Sequence, residues 1–161
     1  MSRRQIIAMT EDEVARYIAS QLTIIAVSNG PGGFPHPMPM HFCVEDDGCI
    51  AMTTYRKSQK VFNLQRDPRA TLLIESGVRY EELRSVVIHA QTEIIDDRDA
   101  TLACMLACRK HSDAARGDGA ASVDDASFRA GAEKRATKRL VLKFHAQQTM
   151  SWDHAKLGGV Y

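Results

Sequence analysis

Thr53–Arg69, TTYRKSQKVFNLQRDPR, is the stretch on which the reading of this chain turns. It begins at the end of a short apolar run, Cys49–Met52, that reads as a β-strand. It carries five bases, Arg56, Lys57, Lys60, Arg66 and Arg69, against a single acid, Asp67. Hydroxyls at Thr53, Thr54, Tyr55 and Ser58 lie among those bases. Ser58–Gln65 reads as a short helix with Val61, Phe62 and Leu64 making its apolar contacts. Pro68 stops it, because a proline disfavours helix at the residue before it. A strand end, hydroxyl donors and a lysine near the free N–H groups of a helix start suit a ligand that bears a phosphate.

Working upstream, Phe34–Val44 reads FPHPMPMHFCV, with prolines alternating at 35, 37 and 39. Each lacks an N–H, and alternate residues of a strand turn their N–H groups toward the same edge. The segment is therefore predicted to be an extended strand with one edge unpaired, along which a flat ligand can lie. Glu45-Asp46-Asp47-Gly48 is a hairpin turn, with Asp-Gly as its strongest cue. Leu22–Ser28 is β-branched and apolar, and predicts a strand ended by the Asn29–Gly33 turn. Before it, Thr10-Glu11-Asp12-Glu13 is a capping box, and Val14, Tyr17, Ile18 and Leu22 give the following helix one apolar face.

Downstream, Ala70–Ser76 and Val86–Ile95 are predicted strands, with Tyr80–Arg84 between them as a loop or an irregular strand start. A helix is predicted from Asp96 to about His111, with Leu102, Met105 and Leu106 inward. The region 112–135 reads as a mobile insertion rich in Ala, Gly, Asp and Ser, with a helical piece at Phe128–Arg135. Lys138–His145 is the last predicted strand, and 146–161 a tail that carries the sole tryptophan, Trp152. Hairpin connections dominate this order, so the sheet is predicted to be antiparallel and to curl into a barrel, which removes exposed edges.

A chain of 161 residues, 44% hydrophobic and 25% charged, fits one domain with a real core. A net charge of +1 speaks against a nucleic-acid protein, so the local cluster at 56–69 matters more than the total. No run approaches the roughly 20 apolar residues of a membrane span, and the start of the chain has no leader-like apolar segment. The expectation is a cytoplasmic protein with reduced thiols and no membrane partner. Cys43 and Cys49 flank the hairpin turn and are placed to face each other, while Cys104 and Cys108 are four apart in a helical stretch. All four are read as small apolar residues; with no CxxC pair or matching histidine spacing, no metal site is expected.

The run Gly33-Phe34-Pro35-His36-Pro37-Met38-Pro39-Met40, then Asp47-Gly48, Thr53-Thr54, Ser58 and Lys60, then Asn63-Leu64 and Arg66-Asp67-Pro68-Arg69 resembles the pyridoxamine 5′-phosphate oxidase-like proteins. Tyr80-Glu81-Glu82-Leu83-Arg84 and Ser151-Trp152-Asp153-His154, with Lys156-Leu157, are similar to the flavin/deazaflavin oxidoreductase branch of that superfamily. The resemblance covers about residues 14–96 and 138–158 and rests on the order and spacing of motifs that are weak singly. It implies a split β-barrel that binds FMN at a homodimer interface and moves a hydride to or from a small organic substrate. It implies the flavin phosphate near Thr53, Thr54, Ser58, Gln59 and Lys60, and the ring system along the 36–42 strand, with His36, Pro37, Met38, Pro39 and Met40 as its contacts. The alternative cofactor is the deazaflavin F420, whose anionic tail would use Arg56, Lys57, Arg66 and Arg69. A further alternative is a flavin-binding or sensor protein without turnover.

Several residues keep two readings. Arg66 and Arg69 fit either a cofactor groove or a turn stabilised through Asp67. His36 and His41 fit either strand histidines with hydrogen-bonded rings or groups that work beside a flavin. Tyr80 and Arg84 fit interface packing or ligand contact. Trp152, with His154, fits a cover over the partner subunit's flavin or an anchor for the tail. No Ser-His-Asp, HExxH or Walker pattern is present, which agrees with an enzyme whose chemistry is carried by its cofactor. No catalytic side chain is assigned.

Overall fold

The computed structural model describes residues 2–117 and 125–159. Among these residues, seven strands form one antiparallel sheet: β1 (Ile24–Asn29), β2 (Pro35–Met40), β3 (Cys43–Val44), β4 (Ile50–Tyr55), β5 (Arg69–Ser76), β6 (Arg84–Ile95) and β7 (Arg139–Asp153). Their order is β2-β1-β5-β6-β7-β4-β3. The two outermost strands are thus β2 and β3, yet only His41 and Phe42 separate them in the chain. The sheet has to curl until its edges meet across that link, and the result is a split barrel with helices around it. A register shift between His89 and Ala90 on the β6–β7 ladder bends the longest pair of strands and adds to the curl.

Side-chain alternation decides which face closes inward. Ile24 and Ala26, Ile50 and Met52, Ala70, Leu72 and Ile74, Val86, Ile88 and Ala90, and Leu140, Leu142 and Phe144 fill one core. Each fully buried Val, Leu, Ile, Met or Phe among them contributes about 1.5–3 kcal/mol relative to exposure. Tyr17, with Val14 and Ile18 beside it, brings helix α2 (Glu11–Ala19) onto this core. The predicted capping box is present: Thr10 Oγ1 accepts from the Glu13 amide, and Glu13 accepts from the Thr10 amide. On the outer face, Ala51 and Val141 meet helix α4 (Arg98–Arg116) through Cys104 and Cys108. Helix α5 (Asp125–Ala136) packs Ala132, Ala136 and Phe128 against Met105 and Leu102 of α4.

Several expectations change. The predicted strand 34–44 is two strands on opposite edges, because the chain crosses the seam at His41-Phe42. Cys43 pairs across the hairpin with Ala51, not Cys49, so those two thiols do not face each other. Residues 112–116 continue α4 and 125–135 belong to α5; of the expected mobile insertion, 118–124 lie outside the described residues. The expected tail is largely strand: β7 runs on to Asp153 along β6, and a 3₁₀ turn (His154–Leu157) follows. Helix α1 (Arg3–Ile7) was not anticipated; its Ser2–Gln5 capping box was available as a signal. The barrel does not abolish its edges: β3 is two residues long and β2 is edged with proline, two ways of blunting an open edge.

Candidate functional site

On β4 the inward positions are Ile50, Met52 and Thr54, so the sequence places a hydroxyl where the strand reaches the barrel's end. The chain turns through Arg56 and Lys57, with the Ser58 amide donating to the Tyr55 carbonyl at 2.9 Å. Helix α3 (Gln59–Arg66) then starts. Ser58 occupies the N-cap with extended backbone but makes no side-chain cap. Its Oγ instead lies 3.2 Å from Thr54 Oγ1, and Lys60 Nζ donates to the same Thr54 oxygen at 3.2 Å. Thr54 is 3% exposed and Lys60 8%. Burial, and then the nearby Arg139 charge, push the Lys60 pKa down. No carboxylate pairs with this ammonium among the described residues.

One turn along α3, Asn63 is fully buried. Its Nδ2 donates to Ser28 Oγ at 3.0 Å, and its Oδ1 accepts from Gln59 Nε2 at 2.9 Å. The first bond ties α3 to β1 and closes that end of the barrel. Opposite Ser28, across the β1–β2 ladder, sits His36. His36 Nδ1 is buried without a hydrogen-bond partner. Along β2, His36, Met38 and Met40 are half-buried, while Pro37 and Pro39 are exposed. With β1 as its only neighbour among the described residues, the strand's three N–H groups serve that ladder and leave no donor on its own outer edge, as the proline pattern predicts.

The bases of the opening stretch divide by partner. Arg56 is bound bidentately to Asp96 and also donates to the Thr137 carbonyl at 3.0 Å. Arg66 donates to the Asn29 carbonyl. Arg69 makes a fork onto Asp67 at 2.9 and 2.8 Å, and Asp67 also accepts from Asn29 Nδ2 at 2.8 Å. Together these donors hold the Asp67 carboxyl well below the usual carboxylate range. The turn reading of Arg66 and Arg69 is the one the geometry supports. Lys57 is exposed, and Thr53 points to the outer face, away from Thr54. Arg139 is the residue that sequence reasoning missed. It opens β7 opposite Tyr55, its guanidinium lies 4.1 Å from the Tyr55 ring centre, and its Nε is buried without a partner. Only the cross-strand register reveals it, and that register joins positions 84 residues apart.

Tyr80, Arg84 and Trp152 are not brought to this cluster. Trp152 pairs with Ser85, whereas Leu140 pairs with Thr54, so 12 residues of β7 separate the two levels. At about 3.3 Å per residue that is roughly 40 Å of strand. Arg84 pairs with Asp153 at 3.2 Å and lies 4.6 Å over the Tyr17 ring. His154 Nδ1 donates to the Tyr80 carbonyl at 2.9 Å, and the two rings are 4.6 Å apart. Trp152 is half-buried and lines a cavity of ≈ 560 Å³ with Met9 and His154. A second cavity, ≈ 520 Å³, lies between α2 and the barrel beside Val14, Ile18, Leu72 and Phe144, and none of the candidate cofactor-binding residues lines it.

What the α3 end offers chemically is a buried ammonium, two hydroxyls, a guanidinium and an unpartnered imidazole nitrogen, with no acid among them. That set accepts an anion. No described helix is long and apolar enough to cross a membrane. Against known proteins, the family model for pyridoxamine 5′-phosphate oxidase matches residues 10–153. No curated protein matches the sequence. Among solved structures, a conserved hypothetical protein from Mycobacterium tuberculosis is 32% identical, with a TM-score of 0.84 over 100% of this chain and 95% of that one. An F420 reductase shares the fold at 19% identity and a TM-score of 0.57, covering 80% of this chain and 88% of that one. The heme storage protein HutZ of Vibrio cholerae does so at 11% identity and 0.64, over 88% and 94%. With its curled antiparallel sheet and a family match over nearly its whole length, the chain belongs to the pyridoxamine 5′-phosphate oxidase family.

Proposed function

We propose that the protein is a flavin-dependent oxidoreductase that holds FMN at the interface of a homodimer and exchanges a hydride with a small organic substrate. One observation carries the reading: Lys60 is a buried ammonium whose only described partner is the Thr54 hydroxyl. A buried charge without a counter-charge is costly, and an incoming phosphate supplies one. Thr54 and Ser58 add hydroxyl donors, Arg139 adds a second cation, and α3 begins there with free N–H groups. Arg56, Arg66 and Arg69 are already engaged within the chain, which favours a single phosphate over the long anionic tail of F420. His36 Nδ1 faces the same end and is available to a ring heteroatom.

When bound, the flavin supplies the hydride chemistry; the chain supplies charge, orientation and exclusion of water. Phe34, Tyr55 and Phe62, exposed at 79, 53 and 50%, lie at the α3 end and give a second copy an apolar surface there. Since Tyr80, Arg84 and Trp152 sit at the far end of β7, they reach a flavin only if that flavin belongs to a partner subunit.

The experiment is a parallel titration of purified protein with FMN and with F420, read by absorbance and fluorescence, followed by reduction with NAD(P)H or reduced F420. FMN is expected to bind more tightly and to turn over with a reductant. Tight flavin binding without turnover would instead mark a storage or sensor protein, and a colourless protein that takes neither cofactor would overturn the reading.

A further inference from the structure

The flavin reading leaves the cysteines unused. Three of them come from two separate elements, Cys43 from β3 and Cys104 and Cys108 from α4, and their Sγ atoms lie within 4.8 Å of one another. Cys104 and Cys108 are 4.0 Å apart, on one face of the helix by their spacing of four. That face lies over β3 and β4, where Ala51, with no exposed surface, leaves room for sulfur. The three residues are 2, 6 and 9% exposed, and Val141 and Ile95 complete the wall.

As thiols, these groups are poorly served. Cys43 and Cys108 share one acceptor, the Ala51 carbonyl, at 3.6 and 3.9 Å. Thiol hydrogen bonds are weak in any case. As ligands they fit well. With metal–sulfur bonds of about 2.3 Å, sulfurs around one ion sit roughly 3.8–4.0 Å apart.

We propose that Cys43, Cys104 and Cys108 form a buried binding site for one thiophilic metal ion held by three sulfurs. The site lies on the outer face of the sheet, under α4, and is independent of the flavin reading. No histidine or carboxylate joins the three sulfurs among the described residues, so the site suits ions content with three soft ligands rather than a closed tetrahedron. Charge orders the candidates. Three thiolates neutralise a trivalent ion such as As(III), leave one negative charge on a divalent ion and two on Cu⁺, and net charge is costly in an apolar layer. Binding is a ligand exchange without redox. For arsenite, three S–H bonds and three As–O bonds break, three S–As bonds form, and three waters leave. For a divalent ion, three protons are released. The spacing rule that argued against a metal looks for pairs close in sequence; here the third ligand comes from 61 residues upstream of Cys104.

The test uses the reduced full-length protein, with arsenite and Cd²⁺ as separate probes. Bound ion per chain is measured after gel filtration, reactive thiols are counted, and for Cd²⁺ proton release and thiolate-to-metal absorption are recorded. The expected result is one ion per chain and, with labelling carried to completion, a fall from four titratable thiols to one, the survivor being Cys49. Cys49→Ser should leave binding intact. Cys43→Ser should weaken it by at least about 100-fold, because losing even an outer partner of a metal ligand costs about 10–100-fold. The wild-type stoichiometry and thiol count stand even where a variant fails to fold. Retention of either ion with three thiols consumed supports the site. Retention of neither, or equal retention by Cys43→Ser, overturns it.

Discussion

Lys60 is held in the fold by one hydroxyl and opposed by its surroundings, and that tension has a measurable sign. Its pKa is depressed by burial, so its contribution to stability is present above the ordinary lysine range and is lost as the pH falls through the depressed value. At neutral pH the charged group therefore works against the cofactor-free protein. Lys60→Met is expected to raise the melting temperature without cofactor while weakening FMN binding by about 1–3 kcal/mol, the loss of a charge-assisted contact. Calorimetry with and without FMN separates the effects, and a lower melting temperature with unchanged affinity would place the phosphate elsewhere. Asn63 should behave oppositely. Asn63→Ala strands Ser28 and is expected to cost about 1–3 kcal/mol of stability in urea melts, with or without cofactor. The difference between these residues also explains what was legible. Thr54, Ser58 and Lys60 lie within seven positions, so local pattern suffices to group them. Asn63 with Ser28, and Arg139 with Tyr55, are long-range pairs that only a register defines.

Among the elements, α2 is fastened at its start by short-range chemistry and one distant contact. Glu13 accepts from the Thr10 amide at 2.7 Å and from Lys156 Nζ at 2.6 Å, which joins the helix start to the 3₁₀ turn after β7. Lys156, and then the Thr10 amide, lower the Glu13 pKa from 4.5 to about 2. A depressed carboxylate pKa contributes stability above pH 4.5 that is lost as the pH falls through about 2. Glu13→Gln should therefore lower the melting temperature at pH 7 and converge with the parent protein near pH 2. A constant gap across that range would mean that the pair contributes nothing through its charge. Elements with an alternating apolar face, such as β5 and β6, were readable in outline because burial writes its period into the sequence. The second half of β7, AQQTMSWD, was not, since its residues are exposed or half-buried and the ladder to β6 rather than burial holds them extended.

At the scale of the whole molecule, the curled sheet keeps an open edge at β2, and proline is what guards it. Pro37→Thr with Pro39→Thr restores two N–H groups to the donor-free edge. The double variant is expected to self-associate beyond the parent's oligomeric state, read by light scattering as a function of concentration. Unchanged scattering would show that another feature protects this edge. The antiparallel barrel was foreseeable from hairpin spacing, whereas the split at His41-Phe42 was not, because an extended stretch reads the same whether or not it changes edges. β7 is the last strand in chain order, yet it sits between β6 and β4. On the ribosome, β2-β1-β5-β6 can zip as they emerge, while the β3–β4 hairpin waits without a sheet to join. Nearly 100 residues separate β4 from the end of β7, so the nascent chain carries a half-made barrel, its future core open to solvent, until β7 slides into place.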